Sequence, residues 1–192
     1  MRRNALLPDA ATAPAARIYT GVLYDALGLR TLSPAAKRRA ASRLLVTSSL
    51  YGLVRPSDRI AAYRLSGDVS LPGLGTVASL WRPNLARALE PLTARNLLVD
   101  LRSTTYAAFW RPAPEVASRV VTLHVVHESD GARQVISHFN KATKGRLVRD
   151  LLEDGANPRT PAALAHALTR LGWTIEATPG GGPGFDVVVR GT

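Results

Sequence analysis

Short apolar runs that end in polar loops alternate along the chain with stretches whose apolar residues recur every three or four positions, and that alternation predicts a mixed α/β fold. Leu44, Leu45 and Val46 form a run of the kind found in a strand covered on both faces, and Thr47, Ser48 and Ser49 can satisfy backbone groups where it ends. Asn96 to Leu101 reads as a second buried strand, again closed by polar residues. Arg119 to Glu128 alternates well enough for a third. It turns at Ser129, Asp130 and Gly131 and is expected to return as Arg133 to Phe139 in an antiparallel hairpin. A last hairpin joins Trp173–Ala177 to Phe185–Val189 across a loop of glycines and proline. Because the runs at 44–48 and 97–101 are both almost continuously apolar, they are expected to be central neighbours in one mixed sheet, with helices on its faces.

Helix signals fill the intervals. Gly21 to Leu29 has a short helical pattern stopped near Gly28, and Ser33 caps a helix whose first residue is Pro34 and which carries Lys37, Arg38, Arg39 and Arg43. Thr76 caps another, with Val77, Leu80, Trp81, Leu85 and Leu89 turned inward and Pro83 expected to break it in two. Thr104 to Trp110 is a further short helix. A helix opens near Asn140 and runs through Leu147, Val148, Leu151 and Leu152, and Thr160-Pro161 starts the last one, which Gly172 stops. The first sixteen residues lack sustained periodicity and read as a tail or as the remnant of a preceding element. Leu71 to Gly75 has the look of the hairpin in a helix–hairpin–helix motif, but residues 64–70 offer no apolar helical face before it, so a simple glycine turn is the stronger reading.

A chain of 192 residues, 46% hydrophobic and 20% charged, fits one globular domain with its own core. No apolar run approaches the ~18 residues of a membrane span, and the apolar patch at the start is too short for a signal peptide, so the expected address is the cytoplasm. The absence of cysteine excludes disulfides, thiol redox chemistry and cysteine-ligated zinc in this chain. The formal charge of +11 points to an anionic partner, and it is front-loaded: residues 1–67 hold eleven basic against three acidic residues, residues 68–192 fourteen against eleven. Only three of the 25 basic residues are lysines: Lys37, Lys141 and Lys144.

The candidate chemistry clusters at strand ends. Between Leu44 and Leu65, a loop carries Arg55, Arg59, Tyr51, Tyr63 and Asp58; Gly52 permits backbone geometry closed to other residues, and Pro56 stiffens the presentation of Arg55. Lys141 and Lys144 lie close enough on one helix to converge on a single anion, although the glycines of a P-loop are missing. An enzymatic reading would use Asp58 and Asp100 as acid/base or metal carboxylates on a phosphate-bearing or nucleic-acid substrate, with Ser48, Ser49 or Ser103 as supporting donors. A metal or iron site built from His124, His127 and His138 matches no ligand signature, and these read as ordinary strand histidines. Composition and spacing assign no catalytic residue, cofactor or metal, and they set no oligomeric state.

Taken in order, Tyr19-Thr20-Gly21, Leu50-Tyr51-Gly52-Leu53-Val54-Arg55-Pro56 with Asp58, Tyr63-Arg64-Leu65, Trp81, Asp100 to Ser103 with Tyr106, and Ile136-Ser137 followed by Lys141, Gly145 and Arg149 resemble the YaaA-type peroxide-stress proteins in an actinobacterial form. The resemblance runs from about Asn4 to the end. It implies a cytosolic protein of the peroxide response that limits iron-linked damage, with a mixed α/β domain around a basic cleft that binds DNA.

On that footing Arg55, Arg64, Arg102, Lys141, Lys144 and Arg149 are the expected phosphate-binding residues, supported by Tyr51, Gly52, Pro56, Asp58, Tyr63 and Ser103. DNA is the expected partner, read with little sequence preference, and no membrane is involved. Two departures accompany the resemblance. Family members begin with a further strand and helices that this sequence is expected to lack. Where they read Tyr-Ala-Lys-Lys-Ala-Arg-Gly, this chain has Phe139-Asn140-Lys141-Ala142-Thr143-Lys144-Gly145, so that one lysine is lost at 142 and Lys144 replaces an arginine.

Overall fold

The computed structural model describes residues 2–129, 132–134, 137–178 and 184–190. In chain order these form α1 (Arg2–Ala5), β1 (Thr12–Pro14), α2 (Ala15–Ile18), α3 (Val22–Leu27), α4 (Pro34–Arg43), β2 (Val46–Ser48), β3 (Gly52–Val54), β4 (Arg59–Ala61), β5 (Ser70–Leu71), β6 (Gly75–Thr76), α5 (Val77–Thr93), β7 (Leu98–Asp100), α6 (Thr104–Ala107), α7 (Pro114–Ala117), β8 (Val120–Ser129), β9 (Ala132–Gln134), α8 (Ser137–Asp154), α9 (Pro161–Arg170), β10 (Thr174–Ala177) and β11 (Gly184–Arg190). The fold is mixed α/β, as the alternation of patterns implies. Among the described residues no helix is long and apolar enough to cross a membrane. The chain divides into two compact units, each drawn from separated stretches: Met1–Tyr19, Arg38–Pro91 and Arg102–Arg111 in one, Thr20–Lys37, Leu92–Leu101 and Pro112–Thr192 in the other.

In the first unit, β2 and β3 form an antiparallel hairpin with Val46 opposite Val54, and β1 pairs antiparallel with β4, Thr12 opposite Ala61. The opening residues are therefore no tail. β1 continues its pairing into Ala15 and Ala16, whose N–H groups reach the carbonyls of Asp58 and Pro56. The Asn4 side chain makes two 2.9 Å bonds to the backbone of Arg64, donating to its carbonyl and accepting from its N–H. Three residues of strand are too few to show a period, which is why this pairing is invisible in the sequence. Ser70–Leu71 and Gly75–Thr76 pair as a small hairpin turned by Gly73 at φ +73°, in line with the glycine-turn reading.

Thr76 caps α5 by accepting the Ser79 N–H at 3.1 Å, as expected, but α5 then runs unbroken through Pro83 to Thr93. Proline removes one intrahelical bond and bends the axis. The apolar residues Val77, Ala78, Leu85 and Leu89, all buried, hold the helix to its neighbours across that defect.

The second unit is built on a five-stranded mixed sheet in the order β10-β11-β8-β7, with β9 also on β8. β7, β8 and β11 run parallel, while β9 and β10 are antiparallel to their partners. The ten-residue β8 occupies the middle: β11 takes one edge, and β7 and β9 share the other, pairing with its beginning and its end. The core is formed by Val121, Leu123, Val125 and Val187 from the sheet with Leu147, Leu164 and Leu168 from α8 and α9.

Two expectations are corrected. The strands at 44–48 and 97–101 belong to different sheets, since β2 pairs with β3 and β7 with β8. Each is an apolar run, but an apolar run reports burial and carries no information about which strand lies beside it. The return strand ends at Gln134 and Ser137 already begins α8, so Phe139 is helical; residues 130–131 and 135–136 of that turn and return lie outside the described residues.

α8 packs closely on α3 because Gly145 has no side chain. A Cβ at that position would press into the Leu23 carbonyl oxygen and lie 2.9 Å from Ala26 Cβ and 3.0 Å from Leu27 N. Gly145→Ala is therefore expected to destabilise the protein by about 1–3 kcal/mol despite the higher helix propensity of alanine, as measured by urea unfolding. An unchanged or raised midpoint would show that the two helices can separate at no cost.

Candidate nucleic-acid interface

The loop from Ser48 to Tyr63 is rigid for reasons that can be followed residue by residue. Ser48 and Ser49 are buried at the turn between β2 and β3. Ser48 Oγ accepts the Tyr51 N–H at 3.0 Å and lies 2.8 Å from the Tyr63 hydroxyl, which is in turn 3.3 Å from that of Tyr19. Ser49 Oγ lies 3.2 Å from the Tyr106 hydroxyl, and the Ser49 carbonyl accepts Trp81 Nε1–H at 2.8 Å. The Tyr63 ring meets Tyr51 and Tyr19 edge to face, at 5.5 and 6.5 Å between centroids. Gly52 sits at φ +75°, and a Cβ there would stand 2.6 Å from the Trp81 ring. Both its backbone angle and the ring beside it demand glycine.

The charged residues that follow are equally occupied. Asp58 Oδ2 accepts the Arg55 N–H at 2.7 Å, closing the turn over the buried Pro56. Arg55 Nη1 donates to the carbonyls of Ala41 and Ser42 at 3.3 and 2.7 Å, where α4 runs out of intrahelical partners. Arg102 donates to the carbonyls of Tyr106 and Trp110 at 3.1 and 2.9 Å and lies over the Trp110 ring. Ser103 is exposed at the start of α6 without a side-chain capping bond. Arg64 is exposed.

In the second unit, Arg149 fans out over the end of α3. Nη1 donates to the carbonyls of Leu27 and Gly28 and to Thr31 Oγ1 at 3.0–3.2 Å, Nη2 donates to the Thr31 carbonyl, and Glu153 stands 3.7 Å away. Lys141 is exposed. Lys144 is half-buried and its Nζ donates to the Leu101 carbonyl, 3.2 Å away, just past β7. Burial holds its amine below the ordinary value of 10.5, and the Asp100 carboxylate pulls in the opposite direction.

Of the six expected phosphate-binding cations, Arg55, Arg102, Lys144 and Arg149 thus donate to backbone carbonyls, and Arg64 and Lys141 are exposed. Arg55, Arg64 and Arg102 belong to the first unit and Lys141, Lys144 and Arg149 to the second. Asp58 serves the loop, whereas Asp100 accompanies a lysine, which spacing alone did not pair with it. His124 is exposed on β8, the His127 ring lies 5.4 Å from that of Phe139, and the side chain of His138 is outside the described residues. Among the described residues no three metal-ligating groups gather.

The depressed Lys144 basicity has a sign that can be measured. The unfolded chain binds this proton more readily than the folded one, so stability rises with pH through the window that ends near 10.5 and gains nothing further above it. The melting temperature of the protein relative to Lys144→Arg, which does not titrate there, is expected to climb as pH is raised from neutral toward 10.5. A flat or falling difference would show that burial does not penalise the ammonium.

Comparison with known proteins bears on the whole chain. The family model described as peroxide stress protein YaaA matches residues 1–178. A UPF0246 protein of Streptomyces coelicolor is 51% identical over 98% of this chain and 73% of its own length. Another from Corynebacterium efficiens is 39% identical over 92% of this chain and 70% of its own, and one from Bacteroides thetaiotaomicron is 35% identical over 73% and 57%. A match of this extent carries the resemblance of the Leu50–Pro56 block beyond local similarity, and this chain belongs to the peroxide stress protein YaaA family.

Proposed function

We propose that this protein is a peroxide-stress factor that binds DNA by neutralising phosphates with little reading of sequence, and that it limits iron-linked oxidative damage to the DNA it covers. The observation that carries the reading is α4, which holds Lys37, Arg38, Arg39 and Arg43 in ten residues with no acid among them. Lys37, Arg38 and Arg43 are exposed. Like charges four residues apart, as at Arg39 and Arg43, work against a helix, so α4 carries charge that its own stability does not require. Arg55, Arg102, Arg149 and Lys144 donate to carbonyls, so the reading gives the phosphate contacts first to the exposed Lys37 and Arg38 of α4; Arg64 and Lys141 are further exposed cations, each in its own unit.

Each phosphate neutralised on a duplex releases counterions, so affinity should fall linearly on a logarithmic plot against salt, by about 0.9 per contact. Titrating duplexes of unrelated sequence at rising salt should give the same slope for all of them. In the Lys37→Ala, Arg38→Ala double variant the slope should shrink by about 2 on every sequence, with little change in melting because both side chains are exposed. Affinity that stays constant from low to physiological salt would overturn the reading.

A further inference from the structure

Lys144 differs in its surroundings from the chain's two other lysines. Lys37 and Lys141 are exposed, whereas the Lys144 stem is half-buried on α8 and its amine ends against the Leu101 carbonyl and near the Asp100 carboxylate. The backbone that carries it is held on both sides. Thr143 is fully buried, with its Oγ1 accepting from Arg146, and Gly145 is wedged against α3. A guanidinium could make the same bond to the carbonyl, but it has no lone pair to offer a carbon. A positioned, partly dehydrated amine is what nucleophilic lysines use, and the neighbouring carboxylate, although it favours the ammonium, is a group that can carry protons.

We propose that Lys144 is an imine-forming amine whose ligands are aldehydes. The Nζ lone pair attacks the carbonyl carbon, forming the N–C bond while the carbonyl electrons move to oxygen, which takes up a proton. The resulting carbinolamine loses that oxygen as water as the C–O bond breaks, with Asp100 placed to carry the proton between nitrogen and oxygen. The net change is amine plus aldehyde to imine plus water, without oxidant or reductant. Two sources present this group: the open-ring deoxyribose of an abasic site in DNA, and a free small aldehyde. The second needs no DNA, so the proposal does not stand or fall with the DNA reading.

The experiment uses the whole chain in two arms, each trapped by a borohydride that delivers hydride to the imine and fixes it as a secondary amine. One arm contains glycolaldehyde, the other a duplex with a single abasic site, and the modified lysine is found by peptide mass spectrometry. With only three lysines in the chain, Lys37 and Lys141 are internal controls within the same sample. Preferential modification of Lys144 in either arm, lost in Lys144→Arg while the melting transition persists, is the expected result. The arm in which it occurs identifies the source. Modification of Lys37 or Lys141 as fast as Lys144 in both arms would overturn the proposal, and so would an adduct yield unchanged in Lys144→Arg. The mapping on the unaltered protein decides the matter even if that variant fails to fold.

Discussion

A helix leaves its last carbonyls without partners inside the helix, and a chain cut into pieces as short as α2, α3, α6 and α7 has many such ends for its size. The fold answers with guanidinium forks. Arg55 closes the end of α4, Arg149 the end of α3, and Arg102 the stretch after α6. Arg82 reaches the carbonyl of Ala108, Arg119 that of Ala94, and Arg159 that of Arg95, while Arg59 ties the start of β4 to Thr12 on β1. One arginine can serve two or three carbonyls because its N–H groups are fixed in one plane, which a lysine cannot imitate. Part of the charge of +11 is therefore used inside a chain with short elements, and at the half-buried carbonyls that Arg102 and Arg149 serve a hydrophobic side chain would leave polar groups without that partner.

That division matters for function. A cation that donates to a carbonyl keeps its charge and still contributes to the field around the protein, but its hydrogens are committed and its geometry is fixed. The loop from Ser48 to Tyr63 shows the same economy, since its hydroxyls, rings and aspartate hold one another: Ser48 serves both the Tyr51 N–H and the Tyr63 hydroxyl. What reads as a dense set of chemical groups is a scaffold that sets the position of the backbone around Gly52 and Pro56. Lys37 and Arg38, exposed on α4 with no acid in that helix, are the contrasting case.

Elements with a capping residue at the start, a glycine at the end or both were legible in the sequence: α3 up to Gly28, α4 from Ser33, and α9 from Thr160 to Gly172, where Thr160 Oγ1 accepts the Ala163 N–H. The long alternation of β8 and the seven-residue run of β11 were legible because strands of that length suffice to display a period, and the four-residue β10 was legible through the glycine-rich loop that joins it to β11. The partner of each strand was not. β2 and β7 look alike as strings, and only packing separates them into different sheets. The candidate cations could be placed along the chain, at the strand ends and on α8, but an arginine facing a carbonyl and one facing solvent are written with the same letter. The role of Lys144 beside Asp100 depends on a neighbour forty-four positions away, so no local pattern could announce it.

The position of β11 sets an order of events. It lies between β8 and β10 and pairs with both, yet it follows both in the chain, separated from β8 by the whole of α8 and α9. Until it is in place, β8 has one edge bare along most of its length and β10 has no partner among the described strands, while Val187 is missing from the centre of the core. A chain emerging from the ribosome would therefore hold an open, strongly apolar strand edge for the time it takes to make some sixty residues, at about 5–20 residues per second. During that interval the edge is protected only by whatever the helices can cover, and the hazard is pairing with another copy of the same strand.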